Sequence, residues 1–525
     1  MRKISMLIRN LFSGKRKQPE SVSELSASGH DRENRPYDQA IPVKPSQPKE
    51  AKEQGSTHSG QQNNRVSETS EPITSPSKRQ QPYFIQVGFD FGTSFSKCVC
   101  RDVMTNKAWV HIPSKSNGHE LPFLIPSILL FLDGKLQYVP EQGVHYPKWG
   151  LYHLKQALVK VALAQMADPV LAPYRRVCDQ FDIGDLVSFV RSCAVYLIAG
   201  ALGTVREQIR QRLVDFGSHP DDYMAVNLAI PVADAEQPNI NNLYHAILCE
   251  SWSLADIIPG HPSLYLKELG SLRKHNLSAN GQAVRDACFI YPEVSANVQG
   301  FVRSRVSSPG MYLFSDTGAA TVDQSTFIFI HKPDNTEHLT YLHGKVLPFG
   351  SSQIEFLAAT NIGKRDRETL EMFRKKKERG DNDVELVKAK NMLAEQLEQG
   401  TITTLAYTKK KLIVRNQIEG IRVIFGGGGH CEYPYERSIL GRPFSCNLFR
   451  EAIKPNVVKL PPPKDLDVSD PQRQWMGRLA VAYGLSFLRG DLASFTYPRD
   501  VKHPEPDQIW PRFREIPDLI SKDQC

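Results

Sequence analysis

The chain has 525 residues, of which 40% are hydrophobic, 23% charged and 9% aromatic. This composition is typical of globular proteins and excludes collagen, a pure coiled coil and a wholly disordered chain. The formal charge of +8 is uneven, because residues 1–80 hold 14 Lys/Arg and 9 Asp/Glu and so carry +5 of it. The remainder is near neutral, and direct nucleic-acid binding is therefore not expected.

Residues 1–18 predict a basic amphipathic segment, because their apolar side chains follow helical spacing among Lys and Arg: Ile4, Leu7, Ile8, Leu11 and Phe12. We expect such a segment to lie on an anionic membrane surface or to dock in a groove of a partner protein. A short basic terminus without a role is the alternative. Arg9 interrupts the apolar part and no small-residue cleavage site follows, so a secretory signal is not expected.

Residues 19–82 predict a disordered linker, since they are rich in Ser, Gln, Pro, Glu and Asn and too poor in apolar side chains to offset chain entropy. The nine cysteines include no CxxC pair, and the pair His430-Cys431 lacks zinc-site spacing. We therefore expect free thiols and a cytoplasmic location, with membrane association only through the N-terminus. The apolar stretch 193–205 is shorter than the ~18 residues that span a bilayer, which predicts a buried helix.

From residue 83 onward the sequence alternates between strand and helix patterns. Strands are predicted at 83–90, 94–101, 107–112, 127–132, 223–230, 286–291, 311–316, 321–330 and 421–425. Helices are predicted at 151–166, 183–214, 238–254 and 472–488, with a charge-rich helical block at 352–412. This alternation predicts an α/β architecture.

Three segments share one design, an apolar strand followed by a turn of small residues: 87–94 (VGFDFGTS), 313–323 (LFSDTGAATVD) and 423–429 (VIFGGGG). Glycine turns let backbone N–H groups approach an anion closely, and Thr or Ser hydroxyls add donors. The four glycines of the third segment can pack flat against a nucleobase or sugar. Taken singly, a DxG sequence at a hairpin is more often only a turn.

Together, in this order, the three segments resemble the motifs of the actin-like ATPase superfamily, which includes actin, sugar kinases and DnaK-type heat-shock chaperones. Further similarities favour the chaperone nucleotide-binding domain: the segments 124–131, 154–158, 226–232, 292–297 and 480–484. The resemblance implies a two-lobed fold of duplicated ribonuclease H-like domains. Its first lobe would span 83–300, its second lobe 301–490 with the helical insert 352–412, and an irregular tail would cover 491–525.

The resemblance also implies a set of site residues. Asp90 and Asp316 would organise Mg²⁺, Lys155 would stabilise the transferred phosphoryl group, and Glu293 would order the attacking water. For Lys155 a solvated helix lysine is the alternative, and for Glu293 a helix N-terminal glutamate that interacts with the dipole. ATP or ADP would contact the three turns and a segment between the second and the third: Gly92, Thr93, Ser94, Gly318, Ala319, Ala320, Thr321, Gly350, Ser351, Gly426, Gly427 and Gly428.

Three departures from the family pattern bear on function. Ala319 and Ala320 replace glycines of the second phosphate motif, and alanine is tolerated there only at negative φ. The segment 350–355 replaces a Gly-Gly-x-Asp sequence, and Lys388-Ala389-Lys390 only weakly resembles the adenosine-contacting helix. About 35 residues follow the predicted helix 472–488, fewer than the ~50 of a small domain, so a chaperone's peptide-binding domain is not expected.

The resemblance thus implies a chaperone-like, Mg²⁺-dependent ATP-binding protein. We expect it to hydrolyse ATP, and we expect its lobes to close on the nucleotide and signal to a protein partner. A filament-forming actin-like protein is one alternative. A nucleotide-sensing scaffold with little hydrolysis is another, favoured by the two alanines. A small-molecule kinase would need an additional carboxylate base and a sugar pocket, and neither is identified in the sequence.

Overall fold

The structure is a computed structural model that describes residues 79, 81–113, 121–138, 146–231, 235, 237–304, 307–334, 336–468 and 475–501. The predictions for residues 1–18 and for nearly all of the linker 19–82 lie outside these residues, as does the part of the predicted tail beyond 501. All the described residues belong to one compact unit.

The strands are β1 (Phe84–Asp90), β2 (Phe95–Asp102), β3 (Lys107–Val110), β4 (Ile125–Pro126), β5 (Leu129–Leu132), β6 (Lys135–Tyr138), β7 (Gly150–Leu151), β8 (Tyr223–Ile230), β9 (Ser263–Tyr265), β10 (Cys288–Pro292), β11 (Gly310–Thr317), β12 (Val322–His331), β13 (Glu337–Leu347), β14 (Arg422–Gly427), β15 (Asn456–Val458), β16 (Leu466–Asp467) and β17 (Ser494–Thr496). The helices are α1 (Leu154–Ala162), α2 (Ala172–Gln180), α3 (Leu186–Arg212), α4 (Pro238–Leu254), α5 (Leu266–Ala287), α6 (Glu293–Asn297), α7 (Gln299–Val302), α8 (Gln353–Asn361), α9 (Arg367–Glu378), α10 (Val384–Lys410), α11 (Tyr435–Leu440) and α12 (Met476–Leu485). These elements confirm the mixed α/β class, and β8 and α4 have the predicted bounds.

The first large sheet has the strand order β10-β8-β1-β2-β3-β16. Its central strand β1 runs parallel to β8 and antiparallel to β2, so the chain reverses direction at residues 91–94. Every residue of β1 after Phe84 is buried, as expected of a strand that is covered on both faces. A separate four-stranded sheet has the order β7-β5-β6-β9.

The second large sheet has the order β15-β14-β11-β12-β13-β17. Its central strand β11 runs parallel to β14 and antiparallel to β12, and β14 runs parallel to β15. The first five strands of each large sheet, β10-β8-β1-β2-β3 and β15-β14-β11-β12-β13, therefore have the same order and the same relative directions. In both sheets, a buried central strand leads into a tight turn at the same position.

The apolar stretch 193–205 lies within α3, which is long and apolar enough to cross a membrane by length and composition alone. Of its most apolar window, 72% is buried inside the protein, and the helix packs against α1 and α4. The side chain of Asp185 caps its first turn by accepting from the backbone N–H groups of Val187 and Ser188. The packing is that of a core helix, as the sequence predicted.

The C-terminal part differs from the predicted lobe and tail boundaries. The predicted second lobe 301–490 includes β16, which pairs with β3 of the first sheet, and α12, which packs against β1 and β2. The predicted irregular tail from 491 contains β17, which pairs in parallel with β13 of the second sheet. After the second sheet, the chain therefore returns to the first sheet with β16 and α12, and then joins the second sheet again with β17. The predicted lobes, which are consecutive segments of the sequence, do not include this return.

The contact between β1 and α12 gives a stability prediction. A Cβ atom on Gly88 would lie 2.1 Å from the carbonyl oxygen of Ala482, so Gly88→Ala should lower the free energy of unfolding by about 1–3 kcal/mol or more. A Cβ atom on Gly270, in the interior of α5, would meet no neighbouring element within 4 Å. Gly270→Ala should raise stability by roughly 0.5–1 kcal/mol. Chemical denaturation of both variants measures the difference, and equal effects would contradict the packing.

Candidate functional site

A cleft of about 260 Å³ brings together residues from both large sheets and from the helices next to them. Its walls include the turn after β1, the turn after β11 and the glycine run at the end of β14. Side chains from α1, α6, α9 and α12 complete it. The structure thus brings three turns together in one cleft. The first and the last of them, which contain Gly92 and Gly427, are more than 300 residues apart in the sequence.

The turn after β1 lines the cleft with Asp90, Gly92, Thr93 and Ser94. A Cβ atom on Gly92 would lie 2.0 Å from the carbonyl oxygen of Phe95, so the turn requires glycine. Asp90 is 3% exposed, and its Oδ2 lies 2.6 Å from Lys97 Nζ. Lys97 was not among the predicted site residues, although its position seven residues after Asp90 on the returning strand could have indicated it.

The turn after β11 lines the cleft with Asp316, Gly318, Ala319 and Thr321. The backbone N–H of Gly318 donates to the carbonyl oxygen of Thr321 over 2.9 Å and closes the turn. The non-glycine residues with positive φ in the described chain are Asn106, Asp133, Trp149, His153, Ala164 and Asp182. Ala319 and Ala320 therefore keep the negative φ at which alanine replaces glycine without strain.

Two predicted contact residues of this region lie behind the wall of the cleft. Ala320 is fully buried, and the backbone N–H of Gly350 donates to its carbonyl oxygen over 3.1 Å. A Cβ atom on Gly350 would lie 2.3 Å from the carbonyl carbon of Ala320. Gly350 therefore supports the turn by close backbone packing, whereas its neighbour Ser351 lines the cleft.

The glycine run contributes Gly427 and Gly428 to the cleft wall. Gly427 has a φ of +79°, and a Cβ atom there would lie 2.3 Å from the carbonyl oxygen of Thr317. Gly426, the third predicted contact residue, is not part of the wall. It packs instead against the side chains of Asn297, Phe314 and Asp316.

The four predicted catalytic residues share the cleft. Lys155 is therefore not a solvated helix lysine. Glu293 is the first residue of α6, so its helix N-terminal position and its place in the cleft coexist. Lys155 Nζ lies 3.0 Å from Glu293 Oε2, and both side chains are mostly buried. Burial alone would lower the pKa of Lys155, but the charges of Glu293 and Asp90 raise it above its usual range. Burial, and then repulsion from Glu293 and Asp90, raise the pKa of Asp316 to about 7, although Lys97 and Lys155 oppose this.

The carboxylates of the cleft fit a divalent cation that is held partly by other ligands. Acidic side chains outnumber basic ones along its walls, and the pKa of Asp316 is raised first by burial and then by the charges of Glu293 and Asp90. Among the described residues, no group of three or more His, Cys, Asp or Glu side chains could hold a metal ion. Mg²⁺ commonly combines one or two carboxylates with water and phosphate oxygens, and Asp90 and Asp316 suit that role.

The wall of the cleft also includes charged residues that the sequence prediction missed: Glu355, Arg374, Lys377, Glu378, Glu432 and Arg478. Lys377 Nζ lies 2.5 Å from Glu355 Oε2 and 2.8 Å from the carbonyl oxygen of Ser351. The candidate helix segment Lys388-Ala389-Lys390 is not part of the wall, since Lys388 is exposed and pairs with Glu385. The α9 residues occur in a run of charged residues, so no pattern in the sequence separates those that face inward.

Comparison with known proteins gives similarity at the level of structure only. No protein-family model matches the chain, and no curated protein matches it. Among solved structures, the chain is similar to one described as "pCBH ParM non-polymerisable quadruple mutant", with 11% identity and a TM-score of 0.37. The match covers 77% of this chain and 98% of that one.

The raised pKa of Asp316 predicts how the ligand-free protein responds to pH. The folded state holds this proton up to about pH 7, while the unfolded chain releases it near the ordinary pKa of ~3.9. The carboxyl therefore lowers the free energy of unfolding as the pH rises between about 4 and 7. Asp316→Asn should raise the melting temperature at pH 8 and have little effect at pH 4.

Thermal unfolding of ligand-free protein across this pH range provides the measurement. Asp467→Asn is the control, because the Asp467 side chain is 69% exposed and should respond weakly at every pH. An Asp316→Asn variant that is destabilised equally at pH 4 and pH 8 would contradict the raised pKa of Asp316.

Proposed function

We propose that the protein binds ATP with Mg²⁺ in this cleft and hydrolyses it. The observation that carries the proposal is the convergence of three separate glycine turns on one cavity that also holds buried carboxylates and lysines. Backbone N–H groups in such turns, together with lysine ammonium groups, suit phosphate oxygens. Carboxylates beside them suit the accompanying cation.

We further propose that the architecture is the two-lobed actin-like ATPase fold. The support comes from the sheets, whose five matching strands have the same order and directions in both halves of the chain. That repetition is what a duplicated ribonuclease H-like domain would produce. In each half the phosphate-facing turn follows the central strand, β1 or β11, so one ligand would contact both halves.

The side chains of the cleft suggest separate roles. Lys97 and Lys155 would balance phosphate charge, and Lys155 would stabilise the negative charge that develops during phosphoryl transfer. The Glu293 carboxylate is held by Lys155 over 3.0 Å, which fixes its direction and suits it to orient a water molecule. Mg²⁺, when bound, would neutralise phosphate charge and polarise the bond to be broken.

The charged residues that the sequence prediction missed would contact the nucleoside. Arg374, Lys377 and Arg478 all line the cleft, but Arg374 is buried in ion pairs with Glu371 and Glu378. Arg478 is therefore the better candidate to stack its planar guanidinium group on a flat ring system. Arg478 lies directly against Gly428, since a Cβ atom there would lie 2.2 Å from Arg478 Nη1. The absence of a side chain at Gly428 therefore makes room for the arginine, and the guanidinium group rather than the glycine would meet the ring.

The finer proposal is a chaperone-like protein whose lobe closure on ATP signals to a protein partner. Its support is the set of sequence segments that resemble the chaperone branch, and the partner's identity stays open. Ligands that bind one lobe arrangement better than another shift the population toward it. Association with a membrane surface through residues 1–18, and a cytoplasmic location, stay predictions.

Ligand binding and turnover test the proposal together. ATP or ADP with Mg²⁺ should raise the melting temperature of the wild-type chain, because a ligand that binds only the folded state stabilises it. Asp316→Asn should lower ATP turnover by roughly 10²-fold or more while the protein stays folded, a size typical of losing one preorganised electrostatic group. Asp467→Asn, on the exposed surface, is the control and should keep the wild-type rate.

The outcomes separate the alternatives. No melting shift with any nucleotide would exclude ATP binding, and an unchanged rate in Asp316→Asn would exclude its assigned role. A melting shift without phosphate release would identify a nucleotide-sensing scaffold. Sedimentation of the chain only in the presence of ATP would identify a filament-forming protein.

A further inference from the structure

Asn297 is a buried polar residue of the site region that the roles above leave unexplained. It is 1% exposed and ends α6, four residues after Glu293. Residues four apart on a helix share a face, so the helix that brings Glu293 to the cleft also brings Asn297 close to it. Asn297 itself does not line the cavity.

The amide of Asn297 is directed at a residue of the other half of the chain. Its Nδ2 donates to Asp316 Oδ2 over 2.9 Å in a buried hydrogen bond. Asn297 follows β10 of the first sheet, whereas Asp316 lies near the end of β11 in the second sheet. The bond therefore connects the Glu293 helix directly to the second phosphate-facing turn.

The adjacent strand leaves space for this bond. The parallel register of β11 and β14 places Gly426 opposite Asp316. A Cβ atom on Gly426 would lie 2.7 Å from Asn297 Nδ2 and 3.1 Å from Asp316 Oδ2. Any side chain at this position would displace one of the two partners. Gly426 does not line the cleft, but its lack of a side chain leaves the space that the Asn297 amide occupies.

We propose that Asn297 is a positioning residue for Asp316, which holds that carboxylate in its metal-binding orientation; this inference rests on the proposed function. Asp316 shares the cleft with Asp90 and Glu293, and repulsion from them favours rotation of its carboxylate away. A fixed donor on Oδ2 opposes that rotation. An amide does so without adding charge, whereas a lysine at the same place would neutralise the carboxylate and compete with the cation.

A purely structural role is the alternative, and a residue on the same helix provides a matched control. Ser295 is fully buried, hydrogen-bonds to the Tyr341 hydroxyl and does not line the cleft. Ser295→Ala therefore removes one buried hydrogen bond from α6 without touching Asp316. It should lower stability, as Asn297→Ala does, but leave the site unchanged.

Calorimetric titration of the full chain with ATP, once with Mg²⁺ and once with EDTA, tests the proposal. The ratio of the two affinities is the gain in affinity due to the metal. Asn297→Ala should reduce this gain by about tenfold while the affinity in EDTA stays near wild type. Asn297→Leu should reduce the gain equally. This variant fills the same space with an apolar side chain, so the protein does not lose stability through a cavity as Asn297→Ala does. Ser295→Ala should keep it.

Two results would overturn the inference while leaving the proposed function intact. Either the metal-dependent gain survives in both Asn297 variants, or Ser295→Ala loses as much of it as they do. Wild-type protein that binds no ATP under either condition would instead overturn the proposed function, and this inference with it.

Discussion

The burial of three carboxylates together in one cleft is the constraint on which the rest of the site depends. Asp90, Glu293 and Asp316 come from three different elements and share the same cavity. Lys97 and Lys155 offset part of their charge, yet burial, and then repulsion from Glu293 and Asp90, raise the pKa of Asp316 to about 7. An added cation would relieve this repulsion, and the Asn297 amide already donates a hydrogen bond to Asp316.

The sequence indicated the parts of the site that depend on local chemistry. Gly92 is required by a close contact with Phe95, three residues later, and Gly427 is required by its positive φ. Both glycines can be recognised in the sequence because each follows an apolar strand. The mixed α/β class followed from the same alternation. Lys97 was also missed, although it stands opposite Asp90 in the β1–β2 hairpin and its position could have indicated it. Partners fixed by tertiary packing, such as Arg374 and Lys377, were missed because no local pattern tells which lysine or arginine faces a cleft.

Two elements that the sequence did not predict, α5 and β13, also depend on tertiary packing. The helix α5 contains Gly270, Gly281 and several Ser and Asn residues, whose intrinsic helix propensity is low, so its packing determines its structure. The strand β13 has an irregular pairing opposite Thr326 and Phe327, which breaks the alternation that identifies a strand. The return of α12 to the first sheet depends on its fit against Gly88, a contact across nearly 400 residues.

The two alanines of the turn after β11 have an effect on preorganisation. Alanine has fewer accessible backbone conformations than glycine. At compatible positions, each replacement of glycine by alanine stabilises the folded state by about 0.4–1 kcal/mol, because the unfolded chain has less conformational entropy to lose. Ala319 and Ala320 restrict the backbone conformations of the empty turn in the same way. Less conformational entropy is then lost when an anion orders the turn, and rigidity before binding favours affinity. A sequence change that first suggested a weakened site is equally consistent with a stiffer one.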